Sequence, residues 1–190
     1  HLMWVAQHWG VKDPTLHLSS AGLGTMGFGL PAAIGAQLSN PGATVVCVSG
    51  DGSIQMNIQE LATVARERLP IKIVLLDNQA LGMVRQWQEL FFQERYSAVD
   101  LSDNPDFGLI AQAYRIPAMR LDARADQEAT LAEFLAIDGP AFLHVAIDQK
   151  ANVWPLVPPN KSNTEMLDAP AQADAVAHDE SKEFVHALPT

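Results

Sequence analysis

The stretch Val45-Val46-Cys47-Val48-Ser49-Gly50-Asp51-Gly52-Ser53 decides the fold. The β-branched run from Thr44 to Ser49 is short and uniformly apolar, which predicts a buried strand. Upstream, residues 28–39 read as a helix in which Pro31 is tolerable only in the first turn. Downstream, Asn57 to Leu69 places Ile58, Leu61, Ala62 and Ala65 at the i, i+3, i+4, i+7 positions of a helix. Pro70 ends that helix. Lys72 to Leu76 predicts a second buried strand, and Asp77-Asn78-Gln79 follows it. Farther along, 82–92, 105–114 and 126–137 read as helices, and 118–121 and Ala141 to Ile147 as strands. At the start, Leu2 to Trp9 reads as a helix and Leu16 to Ser19 as a strand. Short apolar strands alternating with helices imply a doubly wound α/β fold, with a mostly parallel sheet covered by helices on both faces. Such sheets bind ligands beyond the carboxyl ends of their strands. The informative residues are therefore those that follow strands.

The 190 residues are 48% hydrophobic and 18% charged, enough for a core in one domain plus an appendage. Twenty-two acids against 12 bases give a net charge of −10, which argues against a nucleic-acid binder or a protein drawn to an anionic membrane. Cys47 is the only cysteine, so there is no internal disulfide and no cysteine-built zinc site. A reducing, cytoplasmic setting fits. Runs such as Ile73-Val74-Leu75-Leu76 are far short of the roughly 20 residues that cross a bilayer. No charged-then-apolar leader is evident. The chain starts at His1 rather than Met, which fits a piece of a longer protein. Residues 1–150 form the expected domain. An arm over 151–167 follows, where the prolines of Trp154-Pro155-Leu156-Val157-Pro158-Pro159 exclude an ordinary helix. Residues 168–190, with 5 acids and 1 base, read as a disordered tail.

In Gly50-Asp51-Gly52-Ser53, two glycines flanking an acid let the backbone turn sharply and approach a ligand closely. Ser53 and free N–H groups near the next helix can meet an anion. Asp51 is itself negative, so a phosphate beside it requires a bridging cation. Asn78 adds a neutral oxygen from the next strand end. Carboxylate, carboxamide, a backbone carbonyl and phosphate oxygens make a hard octahedral shell, which suits Mg²⁺. Taken alone, the glycine-flanked acid also reads as a tight turn and Asn78 as a turn residue. The Asp-Asn pair, separated from Gly52 by the 24 residues Ser53 to Leu76 and placed at the following strand end, favours the functional reading.

Gly50-Asp51-Gly52 with Asp77-Asn78 resembles the thiamine-diphosphate motif, in which the acid turn is followed after a similar interval by two asparagines. The first of the pair is Asp77 here. The second is the family's metal ligand, and Asn78 keeps it. Gly22-Leu23-Gly24-Thr25-Met26-Gly27-Phe28-Gly29-Leu30-Pro31-Ala32-Ala33 and Gly82-Met83-Val84-Arg85-Gln86-Trp87-Gln88 narrow the match. They resemble the large catalytic subunits of the acetolactate synthase (acetohydroxyacid synthase) family. Asn152 to Pro159 is similar to that family's C-terminal arm, and the resemblance covers about residues 1–167.

The resemblance implies that Asp51, Asn78 and the backbone carbonyl of Ala80 hold Mg²⁺. It implies that Gly52, Ser53 and His1 meet the diphosphate of thiamine diphosphate, and that Gly50 is also cofactor-binding. Gly24, Met26, Gly82 and Met83 would approach its rings, with Met26 wedging it into a bent form. Val84 and Trp87 would line the acceptor substrate. The implied reaction decarboxylates pyruvate and joins the remaining unit to a second 2-oxo acid, pyruvate or 2-oxobutyrate, in branched-chain amino-acid biosynthesis. The family's activating glutamate lies in another domain, so no catalytic acid or base is assigned in this chain, and the chain alone is expected to be inactive. A homodimer or homotetramer, FAD elsewhere in the full-length enzyme, and a small regulatory subunit are also implied.

Several features compete. Gly22, Gly24 and Gly27 match the dinucleotide fingerprint by letter, so a NAD-dependent dehydrogenase is an alternative, although the run Leu16 to Ser19 before it is weak. Another thiamine-diphosphate-dependent carboligase or decarboxylase is a second, and a binding module that kept the fold without catalysis a third. The spacing of Trp87 from Met83, Val84, Leu90 and Phe91 makes one apolar stripe, so Trp87 also reads as a core residue. His144, within an apolar strand, reads as a satisfied core histidine. Arg66 and Arg68 read as a solvated helix face, and Arg85 is unassigned.

Overall fold

The computed structural model describes residues 1–122 and 124–170. Among the described residues two compact units emerge: one from His1–Leu2 and Leu18–Ala151, the other from Met3–His17 and residues 152–170. In chain order the helices are α1 (Leu2–His8), α2 (Gly29–Ser39), α3 (Asp51–Ile54), α4 (Leu61–Arg66), α5 (Gly82–Phe91), α6 (Phe107–Ala113) and α7 (Gln127–Ala136). The strands are β1 (Val46–Gly50), β2 (Lys72–Asp77), β3 (Ala118–Leu121) and β4 (Ala141–Ala146).

The four strands form one all-parallel sheet in the order β1-β2-β4-β3. Successive side chains of a strand point to opposite faces, and two apolar clusters follow from that alternation. Ile73 and Leu75 of β2 and Phe142 of β4 join Leu30 and Ile34 of α2, Leu61 and Val64 of α4, and Phe107 of α6. Val74 of β2 packs instead with Ala141 and Leu143 of β4 and Phe134 of α7. The sheet is thus covered on both faces, as the apolar runs predict. Burial of each such large side chain stabilises the fold by about 1.5–3 kcal/mol. At the amino end of β2, the buried Lys72 Nζ donates to the carbonyls of Ile137 and Gly139 just before β4.

Several expectations are corrected. Leu16 to Ser19 is not a strand. Asp13 accepts hydrogen bonds from the Thr15 N–H and hydroxyl, Pro14 opens the turn, and Pro14–Leu16 coil into a 3₁₀ helix. The residues before Gly22 therefore supply no strand, and the dinucleotide fingerprint loses the element it requires. The helix expected over 57–69 is a 3₁₀ turn, Ile58–Glu60, followed by α4. It stops early because Arg68 adopts φ 51 and closes a C-terminal cap, with Leu69 N–H bonded to Val64 O at 3.0 Å and Arg68 N–H to Ala65 O at 3.3 Å.

In the second unit, Trp4 stacks on His8 along α1 with ring centroids 5.1 Å apart. Residues 152–167 contain no α-helix. Val153 and Leu156 are buried, and Leu156 and Leu167 exchange two backbone hydrogen bonds of 2.9 and 2.7 Å. Ser162 and Glu165 cap a 3₁₀ turn over Asn163–Glu165. Of the expected tail, residues 171–190 lie outside the described residues.

Cys47, the second residue of β1, is 3% exposed, and burial pushes its thiol up to about 12. The native chain should therefore not react with a disulfide-exchange thiol reagent at pH 8, and one thiol should titrate fully in denaturant. Rapid native labelling would contradict the packing of β1.

Candidate cofactor site

Parallel pairing aligns Gly50 of β1 with Leu76 of β2, so the two strands finish side by side. The chain then continues as Asp51 on one side and as Asp77-Asn78 on the other. The glycine-flanked acid is not a loop turn, as the sequence suggested, but the first turn of α3, with Gly50 as its extended N-cap. Its glycines serve close packing. A Cβ on Gly52 would stand 2.7 Å from Leu81 Cδ2 and 3.2 Å from both Leu101 Cδ1 and Met26 Cε. Gly27 has φ 86, and a Cβ there would stand 2.7 Å from Asn57 Nδ2. The backbone at 27 is fixed by the Ser53 hydroxyl, which accepts from the Gly27 N–H at 2.9 Å, and by Asn57, which donates to the Gly27 carbonyl.

Asp51 and Asp77 are both buried, 2% and 8% exposed, so two acids face a poorly solvated strand end together. Asn104 lies between them: its Nδ2 donates to Asp51 Oδ2 at 2.9 Å and to Asp77 Oδ1 at 3.2 Å. The two acids are not equivalent. Burial pushes the Asp51 carboxyl up to about 6, aided by the neighbouring Asp77 and opposed by the Gly52 N–H and Asn104. Burial would raise Asp77 as well, but hydrogen bonds from His144, the Gln79 N–H and Asp51 outweigh it and hold Asp77 below its ordinary value. His144 Nε2 lies 2.8 Å from Asp77 Oδ2, and its ring meets Phe107 edge-on. It is a satisfied core histidine, as its strand context suggests.

Most of the expected site residues meet here. Asn78 is half-buried, and its Oδ1 accepts from the Ala80 N–H at 3.3 Å. Gln79, between them, has φ 53, which forces the strand end to turn back. Ala80 is buried and bridged to Asp100. A Cβ on Gly82 would stand 2.8 Å from Asn78 Nδ2, and one on Gly50 would stand 2.8 Å from His1 Nδ1. Met26 reaches Gly52 yet is 40% exposed. Gly24 has φ 62 and open space around its Cβ position.

Helix α5 reverses the core reading of Trp87. Its buried residues are Arg85 and Gln86, with Arg85 paired to Glu89 at 2.8 Å. Val84, Trp87 and Phe91 are exposed, Trp87 to 36%. That side of the stripe faces outward, and Met83, Val84, Trp87, Gln88, Phe92 and Arg95 line a groove of about 570 Å³.

Sequence reading missed Asn104 and Gln55. Asn104-Pro105 signals only a turn, and nothing in it indicates a reach across 53 positions to Asp51. Among the described residues no three His, Cys, Asp or Glu gather as a metal cage. Asp51 and Asn78 offer instead a carboxylate and a carboxamide, hard oxygen donors of the kind a divalent cation takes.

Comparison with known proteins agrees with this arrangement. Residues 1–145 match the family "Thiamine pyrophosphate enzyme, C-terminal TPP binding domain". The chain is 60% identical over 168 residues to the acetolactate synthase isozyme 2 large subunit of Escherichia coli (strain K12), covering 88% of this chain and 31% of that protein. It is 47% identical over 167 residues to the isozyme 1 large subunit of the same organism, covering 88% and 30%. It is 48% identical over 168 residues to the acetolactate synthase large subunit of Porphyra purpurea, covering 88% and 28%. The chain thus spans about a third of the length of the curated relatives it matches. With its strand-end acid and carboxamide, it belongs to the thiamine pyrophosphate enzymes, as their C-terminal cofactor-binding domain.

Proposed function

We propose that this chain is the cofactor-binding part of an acetolactate synthase large subunit. The enzyme decarboxylates pyruvate and condenses the remaining two-carbon unit with pyruvate or 2-oxobutyrate, in the branched-chain amino-acid pathway. The observation that carries this reading is the pair of adjacent parallel strand ends, where buried Asp51 and half-buried Asn78 offer hard oxygens beside the tightly packed Gly52. The similarity to acetolactate synthase large subunits supports the choice within the family.

Bound thiamine diphosphate supplies the electron sink that lets CO₂ leave a 2-oxo acid. The residues of this chain hold and orient it. Asp51, Asn78 and the Ala80 carbonyl would bind Mg²⁺, which neutralises the diphosphate next to an acid. Ser53 accepts from the Gly27 N–H and keeps its own proton for a phosphate oxygen. Gly50, Gly52 and His1 would complete the diphosphate contact. Gly24, Met26, Gly82 and Met83 would face the rings, and Val84 and Trp87 the acceptor. The activating glutamate would come from outside this chain. FAD, a homodimer or homotetramer, and a small regulatory subunit complete the proposed cytoplasmic holoenzyme.

Asp51→Ala and Asn78→Ala in the full-length protein should each abolish Mg²⁺-dependent binding of thiamine diphosphate, with the melting temperature nearly unchanged. Calorimetric titration checks this, and normal binding by either variant would remove that residue from the metal shell.

The outward position of Trp87 gives a second expectation. A ring contact with the extra methylene of 2-oxobutyrate is worth about 1–3 kcal/mol. Trp87→Leu should lower the preference for 2-oxobutyrate about tenfold, with pyruvate self-condensation largely kept. Competition between the two acceptors, read as the ratio of the two hydroxyacid products, decides the matter. An unchanged ratio with a large drop in melting temperature would make the residue purely structural.

A further inference from the structure

The carboxylate of Asp51 stands at a poorly solvated strand end with a second acid beside it, so something must fix its position. Besides the Gly52 N–H, the side chain of Asn104 meets that carboxylate. Asn104 donates from Nδ2 to Asp51 Oδ2 and to Asp77 Oδ1, and its Oδ1 accepts from Gln55 Nε2 at 2.9 Å. Asp77 and Gln55 fix which end of the amide is nitrogen, because an ionised carboxylate only accepts and the Gln55 Nε2 only donates. Both anchors are themselves held. Asp77 accepts further from the Gln79 N–H at 3.1 Å and is bonded to His144 at 2.8 Å. Gln55 Nε2 also donates to the Asp51 carbonyl at 3.3 Å.

The loop that carries Asn104 is pinned to the segment after β2. Leu81 N–H donates to Val99 O, and Leu101 N–H to Gln79 O, both at 2.9 Å. Asn104 N–H then bonds Leu101 O at 3.0 Å, and Asp106 caps α6 through Leu109 N–H at 2.9 Å. Asn104 is therefore delivered from a braced loop by the backbone that also carries Asn78 and Ala80.

We propose that Asn104 is a positioning residue: bridging Asp51 and Asp77 and anchored by Gln55, it holds the Asp51 carboxylate in the orientation that takes the divalent cation of the cofactor. This rests on the proposed role of Asp51 as a ligand of that cation. Asp77, with both oxygens engaged, is an anchor for the bridge rather than a ligand. An acid there serves the bridge, because it accepts from Asn104, Gln79 and His144 together.

The test uses the full-length protein with saturating thiamine diphosphate and Mn²⁺, the free ion being counted by electron paramagnetic resonance. Removing a residue that orients a metal ligand weakens metal affinity by roughly 10–100-fold. Asn104→Ala and Asn104→Ser should show a loss in that range, with a melting temperature close to that of the parent. Gln55→Ala, which leaves both carboxylate contacts in place, should lose less. Absence of Mn²⁺ binding by the parent would sink the proposed metal role of Asp51 itself. Parent binding that vanishes in Asp51→Ala but is unchanged in Asn104→Ala would overturn the positioning role alone. Unfolding of both Asn104 variants would make the bridge a folding element and would also overturn it.

Discussion

The parallel pairing of β1 with β2 is the constraint on which everything else rests. Because Gly50 lies opposite Leu76, both strands end at one level, and the residues that follow are forced together. An antiparallel pairing would carry Asp51 and Asn78 to opposite ends of the sheet. Parallel pairing in turn requires both faces of the sheet to be covered. The two apolar clusters, one built on Ile73, Leu75 and Phe142 and the other on Phe134 and Leu143, meet that requirement. The core thus fixes the register, and the register builds the site.

That register has an electrostatic consequence. It brings two buried acids to one place, and the protein treats them differently. Asp77 is engaged by His144, Gln79 and Asn104 and is held ionised. Asp51 has Asn104 and the Gly52 N–H against its burial and the nearby acid, and its carboxyl is pushed up to about 6. A carboxylate in that position gains most from a cation. The proposed cation at Asp51 would relieve that burial and the repulsion from Asp77.

Much of this was legible in the sequence, for a physical reason. Fully buried parallel strands are short apolar runs, so Val46–Gly50 and Lys72–Asp77 stand out, and the residues after them form the candidate site. The misreadings have physical causes too. Leu16 to Ser19 has strand-like letters, but Asp13 and Pro14 start a helical turn just before it. The amphipathic stripe of α5 was visible, but its direction was not. Which face meets the core depends on where the helix docks, and here the buried face holds Arg85 and Gln86. Asn104 was hidden because its partners are 53 and 27 positions away, and local letters do not encode such contacts.

The central claim is that Asp51 and Asn78 bind thiamine diphosphate through a shared divalent cation. Isothermal calorimetry of thiamine diphosphate against the full-length protein, with Mg²⁺ and after its complete removal, addresses it most directly. The account predicts saturable binding with Mg²⁺, restored on adding the ion back, and binding too weak to measure without it. Equal affinity in the two titrations would contradict it.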